Sequence, residues 1–528
     1  MRREPIHNLK INLDLMTQYL PNSKPVSGLH QVQNSIGNLV SMEKKYELLA
    51  TVLLFLLAFF LRLGLLLVSS EIPGDGPSRA FLAYKWSKVP YFVTHGTWLP
   101  SYLYLPGLFY FVVNDPLFST RIFNLILGSL TIPLYYFLIR RIYDRLVALL
   151  AALLLAVFPL HIGLSVSSLA EISFLFATIT SMLLLTGSSD GHIGWARLVL
   201  CFFFLSWAQM TRYEAWWVTP AFALYYWSRT RRVEKAILAL LIFLLVPGAW
   251  MWGNYLYTGK ALFGLHTVKH GASLVNAPNL TVIEALNFLA SLATSHLGVI
   301  LSLAVLGGVI VQLLFFARSA YRPEQVLYLS VVGLYWIAMV YLAMNIGASL
   351  WNRFMLFGFV TSFPLAFMPL LGPWMHHRRS MAAILCVILI AVAISTFPRQ
   401  RPVYVTLQHP IEIKNLVTWL KESPYRNDPL LVTSMGWQAT YIPLYFPEVK
   451  MGMISPWVED DEVYYFLKNQ PPSLFITREG DSELQARIEN IMGKVIAEHN
   501  LVHEEGAIKI YRLAARKLNV AGNDTRPN

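Results

Sequence analysis

Cysteine is almost missing. The 528-residue chain has 2, Cys201 and Cys386, each inside an apolar run, which excludes a disulfide framework and a cysteine-rich metal site. Charge is scarce too, at 14% of residues, too little for a soluble protein of this size. The stretch after residue 398 lacks both G-x-G-x-x-G and G-x-x-x-x-G-K-[ST], so nucleotide binding has no support there. No self-similarity recurs at a period of about 20–50 residues, which argues against solenoids and propellers. No small-residue cleavage site follows the first apolar run, so that run reads as a retained anchor rather than a removed signal.

What is abundant is apolar: 55% of residues. The chain reads as an α-helical polytopic membrane protein. Runs of membrane length lie near 48–68, 120–139, 146–160, 168–187, 195–211, 214–228, 236–253, 295–317, 325–343, 354–371 and 380–397. They predict about eleven spans. The net charge of +12 does not point to nucleic acid, because most Lys and Arg lie in short loops between these runs. Alternate loops are basic: Arg140, Arg141 and Arg145; then Arg229, Arg231, Arg232 and Lys235; then Arg318 and Arg322; then Arg378 and Arg379. By the positive-inside rule they face the cytoplasm. Residues 1–45 then form a cytoplasmic segment, 46–397 the membrane module, and 398–528 an extracytoplasmic domain. The two longest loops, roughly 70–119 and 254–294, fall together on the outer face.

Beyond residue 398 charge returns and the pattern alternates. Leu430–Thr433, Lys450–Ile454 and Ser473–Thr477 read as strands; Glu412–Lys421, Asp460–Lys468 and Asp481–Met492 read as helices. That alternation predicts a small soluble α/β domain with a partly parallel sheet.

Charges at the ends of spans are the informative ones, since each costs about 2.5–3.5 kcal/mol at the bilayer centre. The stretch EIPGDGPSRAFLAYKWSK opens the first outer loop. Asp75 lies between Gly74 and Gly76, with Pro73 and Pro77 beyond, and is expected on a turn. From Ser78 onward Leu82, Trp86 and Val89 recur at helical spacing with Lys85 and Lys88 off that stripe, the pattern of an interfacial helix. Glu171 starts the fourth span, Arg212 and Glu214 share an outer turn, and Arg353 begins a late span. Lys260, His266, Lys269 and His270 populate the second long loop. The bland alternatives are that Arg212 pairs only with Glu214 and that Arg353 snorkels to headgroups. His266 and His270 have a spacing found in helical zinc sites, yet no third ligand is near, so no metal and no cofactor is expected. The aromatics Trp98, Tyr102, Tyr104, Trp216 and Trp217 fit an interfacial belt, or a platform for a sugar face.

Transfer from a lipid phosphate needs a base, cations for the departing phosphate, and exclusion of water. Asp75 is the candidate base. Arg79, Lys85, Arg212, Lys269 and Arg353 are candidates for the phosphate, with Glu214 and His266 beside them. Glu171 is a candidate second carboxylate. A transporter or lipid flippase without chemistry is the competing reading. The gathering of charge near one face, the odd span count and the lack of repeat symmetry weigh against it.

Several stretches together resemble the integral-membrane glycosyltransferases of the GT-C class, nearest to the protein O-mannosyltransferase and lipid A aminoarabinose transferase relatives. They are GDGPSRAFLAYKW, THGTWLPSYLYLPGLFYF, STRIFNLILGSLTIPLYYFLIRRIY, HIGLSVSSLAEISFLF, QMTRYEAWWVTP and NYLYTGKALFG, covering roughly residues 48–270, with WNRFMLFGFVTSFPLAF later. The resemblance implies a polyprenyl-phosphate-sugar donor used with inversion on the outer membrane face, and a lipid, glycan or protein acceptor. It implies that Asp75 is the essential acid, that Arg79 is the basic residue following it, and that Arg212 lies near the lipid phosphate. It also implies no catalytic metal. Where that family often carries Asp-Glu, this chain has Asp75-Gly76, which leaves Glu171 to fill the second acidic role.

Overall fold

A computed structural model of the protein describes residues 27–72, 74–186, 194–274, 279–316, 322–346, 352–371, 387–391, 405–407, 410–432, 435–453, 472–478 and 499–513. Four helices there are long and apolar enough to cross a membrane. They are the Lys45–Val68 part of α1 (Ser27–Val68), α4 (Pro116–Ile142), most of α13 (Val282–Phe316) and α14 (Pro323–Ile346). Two bent pairs bring the number to six. One joins α5 (Arg145–Val157) to α6 (Pro159–Ser165) at 59°; the other joins α10 (Val233–Phe243) to α11 (Leu245–Thr258) at 44°. The expected spans at 168–187, 195–211, 214–228 and 354–371 form α7 (Glu171–Leu185), α8 (Trp195–Gln209), α9 (Glu214–Thr230) and α15 (Leu356–Leu371). At 15 to 17 residues α7, α8 and α9 reach about 22–26 Å, short of a hydrocarbon core of about 30 Å. Of the run at 380–397 only 387–391 lie among the described residues, and they are helical.

The bundle packs through small residues where helices meet. On α5, Ala148, Ala151, Ala152 and Ala156 are wholly buried, a spacing that lets neighbouring backbones approach closely in lipid. Buried tyrosines cross-link it: Tyr135 donates to Val360 O at 2.6 Å and Tyr328 to Thr361 O at 2.6 Å.

The ends of α4 define two poles. At its C-terminal end Arg140 pairs with Glu47, and Arg322 donates to Ile142 O at 2.5 Å. Arg229, at 3.1 Å from Glu324, joins them through α14. Arg121, near the other end, is fully buried and donates to Ser69 O, Ser69 Oγ and Val166 O. The 19 helical steps from Arg121 to Arg140 separate these groups by about 28 Å. Three of the basic loops therefore gather at the pole away from the first long loop.

Beyond that other pole, α2 (Asp75–Lys88) and α3 (Ser101–Phe109) pack on each other. The face α2 buries consists of Gly76, Arg79, Ala80, Ala83 and Ser87, not Leu82, Trp86 and Val89. Trp86 is half-buried instead, packed on Gly107 and Tyr104 of α3, and Val89 is exposed. The C-terminal neighbour of α2 is a five-stranded sheet in the order β4 (Met451–Met453), β3 (Leu430–Val432), β5 (Leu474–Arg478), β7 (Ile508–Leu513), β6 (His499–Glu505). The first three strands are parallel and the last two antiparallel. Helix α16 (Ile411–Glu422) covers it with Ile413, Leu416, Val417 and Leu420, and Ala80 of α2 belongs to the same core. A short antiparallel pair, β1 (Ser70–Glu71) with β2 (Val405–Thr406), ties this part to the end of α1. The helices expected at 460–468 and 481–492 lie outside the described residues.

Candidate active site

Asp75 is the first residue of α2 rather than a residue of the preceding turn. Gly74 stands before it at φ 124°, a conformation that a β-carbon would strain. Pro77 is tolerated because first-turn N–H groups have no helical partner. Ser78 Oγ and N–H close the start onto Gly74 O.

Around Asp75 three arginines face three carboxylates. Arg353, in the short turn Asn352–Met355, donates to Asp75 Oδ2, and its Nε lies 3.4 Å from Glu171 Oε1. Arg212 Nη1 reaches the same Glu171 oxygen at 2.5 Å, while Nε and Nη2 hold Glu214 Oε1 at 3.0 and 2.5 Å. Phe354 lies beneath both cations, 4.6 Å from the Arg212 guanidinium and 5.4 Å from that of Arg353. Arg79 is buried, stacked 4.4 Å over Trp98 and 5.6 Å from Tyr102. Its Nε and Nη1, and Glu171 Oε2, are buried with no hydrogen-bond partner among the described residues.

Burial alone would push the Asp75 carboxyl up. Arg353, Arg79 and Arg212 outweigh it and hold the group below its ordinary value, so it is ionised at neutral pH. Burial works against the Arg353 and Arg212 cations, but their carboxylates prevail and both are raised. Burial lowers Arg79 despite Asp75 and Glu171, and its guanidinium remains charged.

The surrounding scaffold was not singled out by sequence reasoning. Asn124 of α4 donates to Ser167 O at 2.6 Å, Leu169 O at 2.7 Å and Tyr102 Oη at 3.1 Å, fixing the turn that leads into Glu171. A polar amide inside an apolar run was the available signal. The strap between α2 and α3 crosses the site and is held by Asn254 Oδ1 accepting from Gly96 N–H at 2.9 Å. Tyr213 Oη donates to Thr97 O at 3.2 Å. Tyr102 is therefore a buried wall of this site, not a belt residue.

Asp75, Arg79, Glu171, Arg212, Glu214 and Arg353 thus come together. Lys85 and Lys88 do not: both are exposed, lying over Phe81 and over Tyr84 and Tyr110. His266 and Lys269 are exposed on α12 (Phe263–Leu274), with His266 Nε2 3.3 Å from Lys260 Nζ. Nothing in their contacts joins them to the Asp75 cluster. Among the described residues no group of three or more His, Cys, Asp or Glu side chains is arranged to hold a metal ion.

Residues 95–252 match the family described as dolichyl-phosphate-mannose-protein mannosyltransferase. That stretch holds Trp98, Asn124, Glu171 and Arg212. The crystal structure of ArnT from Cupriavidus metallidurans bound to undecaprenyl phosphate is similar over 90% of this chain and 99% of its own, at a TM-score of 0.58 and 13% identity. The fold is that of the GT-C glycosyltransferases. Two further GT-C structures are those of the Archaeoglobus fulgidus oligosaccharyltransferase. Its complex with zinc and sulfate gives a TM-score of 0.57 at 12% identity, over 85% of this chain and 69% of that one. AglB from the same organism, with an inhibitory peptide and a dolichol-phosphate, gives 0.56 at 12%, over 83% and 70%. No curated protein sequence matches the chain significantly. The GT-C fold and its apolar helices make this an integral membrane protein.

Proposed function

We propose that the protein is a glycosyltransferase moving a sugar from a polyprenyl-phosphate donor to a lipid, glycan or protein acceptor. One observation carries this reading. A low-pKa carboxylate, Asp75, shares arginines with a second carboxylate, Glu171, beside a buried guanidinium, Arg79, that has unused donors. Guanidinium N–H groups suit phosphate oxygens, and the neighbouring structures in complex with undecaprenyl phosphate and with a dolichol-phosphate are in keeping with such a ligand.

In the proposed step the donor phosphate binds Arg79 and competes with Asp75 for Arg353. Asp75, released, accepts the proton of the acceptor hydroxyl or amine. The acceptor oxygen or nitrogen bonds to the anomeric carbon from the face opposite the phosphate. The bond from that carbon to the phosphate oxygen breaks, its electron pair leaves with the phosphate, and the sugar inverts. Arg79, Arg353 and Arg212 take up the growing phosphate charge, each such donor being worth about 10²–10³ in rate. Glu171 Oε2 accepts from the sugar. Trp98 and Tyr102 flank Arg79 and keep water out.

The reading assigns residues 1–45 to the cytoplasm, 46–397 to the catalytic module and 398–528 to an extracytoplasmic domain, with the basic loops at the cytoplasmic pole. It is tested by incubating the purified protein and a panel of polyprenyl-phosphate sugars with membrane extracts, with products identified by mass spectrometry. A mass increase of one sugar on an acceptor supports it. No transfer from any donor, alongside unaltered lipid binding, removes it in favour of a carrier without chemistry.

A further inference from the structure

Glu71 is a buried acid beside this site that the proposed transfer does not use. It ends β1, is 1% exposed, and touches both halves of the site. Its Oε1 accepts the Ser168 N–H, three residues ahead of Glu171, and lies 3.8 Å from Arg121 Nε. Its Oε2 lies against Gly76, the residue after Asp75, where any β-carbon would collide with it. The space a side chain at position 76 would occupy is therefore filled by the Glu71 carboxylate. From the other side, Tyr441 donates to the Glu71 carbonyl, Val405 pairs with its strand, and Thr440 Oγ1 accepts the Gly74 N–H at 3.1 Å.

We propose that Glu71 is a positioning residue. Its one carboxylate sets the start of α2 against the Ser168–Glu171 turn, so that Asp75 and Glu171 keep Arg353 in common. The proposal rests on the transferase reading above. The groups facing Glu71 are Arg121 from α4, Tyr102 from α3, the Ser168 N–H, and Tyr441 and Tyr445 from the C-terminal part. Burial, only partly offset by Arg121 and Ser168, lifts its pKa to about 7.

Two variants of the full-length protein test this, each by structure and by kinetics. Glu71→Gln keeps the shape and one acceptor; its kcat should stay within about threefold of wild type but lack the inflection expected of wild type near pH 7. Glu71→Ala should lose at least about tenfold in kcat with the donor KM within about twofold, because alignment fails while phosphate binding persists. Its structure should show Asp75 and Glu171 no longer sharing Arg353. An Ala variant with wild-type kcat, one whose loss follows only the loss of folded protein, or one with the Asp75–Arg353–Glu171 geometry unchanged overturns the proposal. So does a Gln variant that keeps the pH 7 inflection. Wild-type protein that transfers from no donor removes the transferase reading instead, and the Ala structure then decides on Glu71 alone.

Discussion

Replacing Arg353 by methionine removes the cation shared by both proposed acids while keeping much of its apolar volume. Its Nε is 3.4 Å from Glu171 Oε1 and its contact with Asp75 is closer. At 3.4 Å two unit charges interact by about 5 kcal/mol in an effective dielectric of about 20. Truncating one partner of a buried pair costs about 3–5 kcal/mol, much of it the penalty on the charge left behind. That penalty falls on Asp75 and Glu171, and they relieve it by taking up protons. Burial already pushes the Asp75 carboxyl up, and Arg353 is the largest influence opposing it. Without Arg353 the carboxyl moves upward. If about half the penalty appears as protonation, the shift is about 1–2 pH units at 1.36 kcal/mol each. A base must be ionised to act, so the acid limb of kcat/KM moves to higher pH. Arg353→Lys keeps the charge without the planar fork and should shift the limb less. The assay is transfer from a polyprenyl-phosphate sugar across the acid range, with the folded fraction followed in parallel. An acid limb that does not move in Arg353→Met refutes the reasoning.

Other outcomes follow from the same geometry. Arg79→Ala should raise the donor KM by at least about tenfold, since charged hydrogen bonds contribute about 1.5–3 kcal/mol, whereas Lys85→Ala should stay within about twofold because Lys85 is exposed; steady-state kinetics on both variants would expose the reverse order. Glu71 should make stability fall with rising pH. Its folded value of about 7 lies above its ordinary 4.5, so the contribution is complete below 4.5 and lost as pH rises through about 7. Thermal unfolding of wild type and Glu71→Gln should show that slope in wild type only. Equal slopes would mean that Glu71 is not buried as described.

The charges at the ends of apolar runs were legible because they are costly there: Asp75, Glu171, Arg212, Glu214 and Arg353 all meet in space. Which charges turn inward was not legible. Arg79 and Lys85 share α2, and their difference depends on the rotation of that helix. The helix buries Gly76, Ala80 and Ala83 where Glu71, the C-terminal core and Gly107 of α3 come close to its backbone. Glu71 escaped because its partners lie far along the chain: Ser168, Val405 and Tyr441 give no local signal. The strands at 430–432, 451–453 and 474–478 follow the expected runs within a residue or so. The β6–β7 hairpin did not stand out, since His499–Glu505 alternates weakly and the turn rests on Gly506 at φ 59°. Apolar length is visible in sequence, and so is a cause of each bend: Pro159 opens α6 and Pro247 follows Leu244 by three residues, where a missing N–H and a ring clash with the preceding turn break a helix.

The central claim concerns the Asp75 carboxylate, and Asp75→Asn tests it most directly because the amide keeps the shape and loses the base. Turnover by the purified variant with a polyprenyl-phosphate sugar should fall by about 10²–10⁴, the usual worth of a general base, with lipid-phosphate binding retained through Arg79. Wild-type turnover in Asp75→Asn would contradict the account.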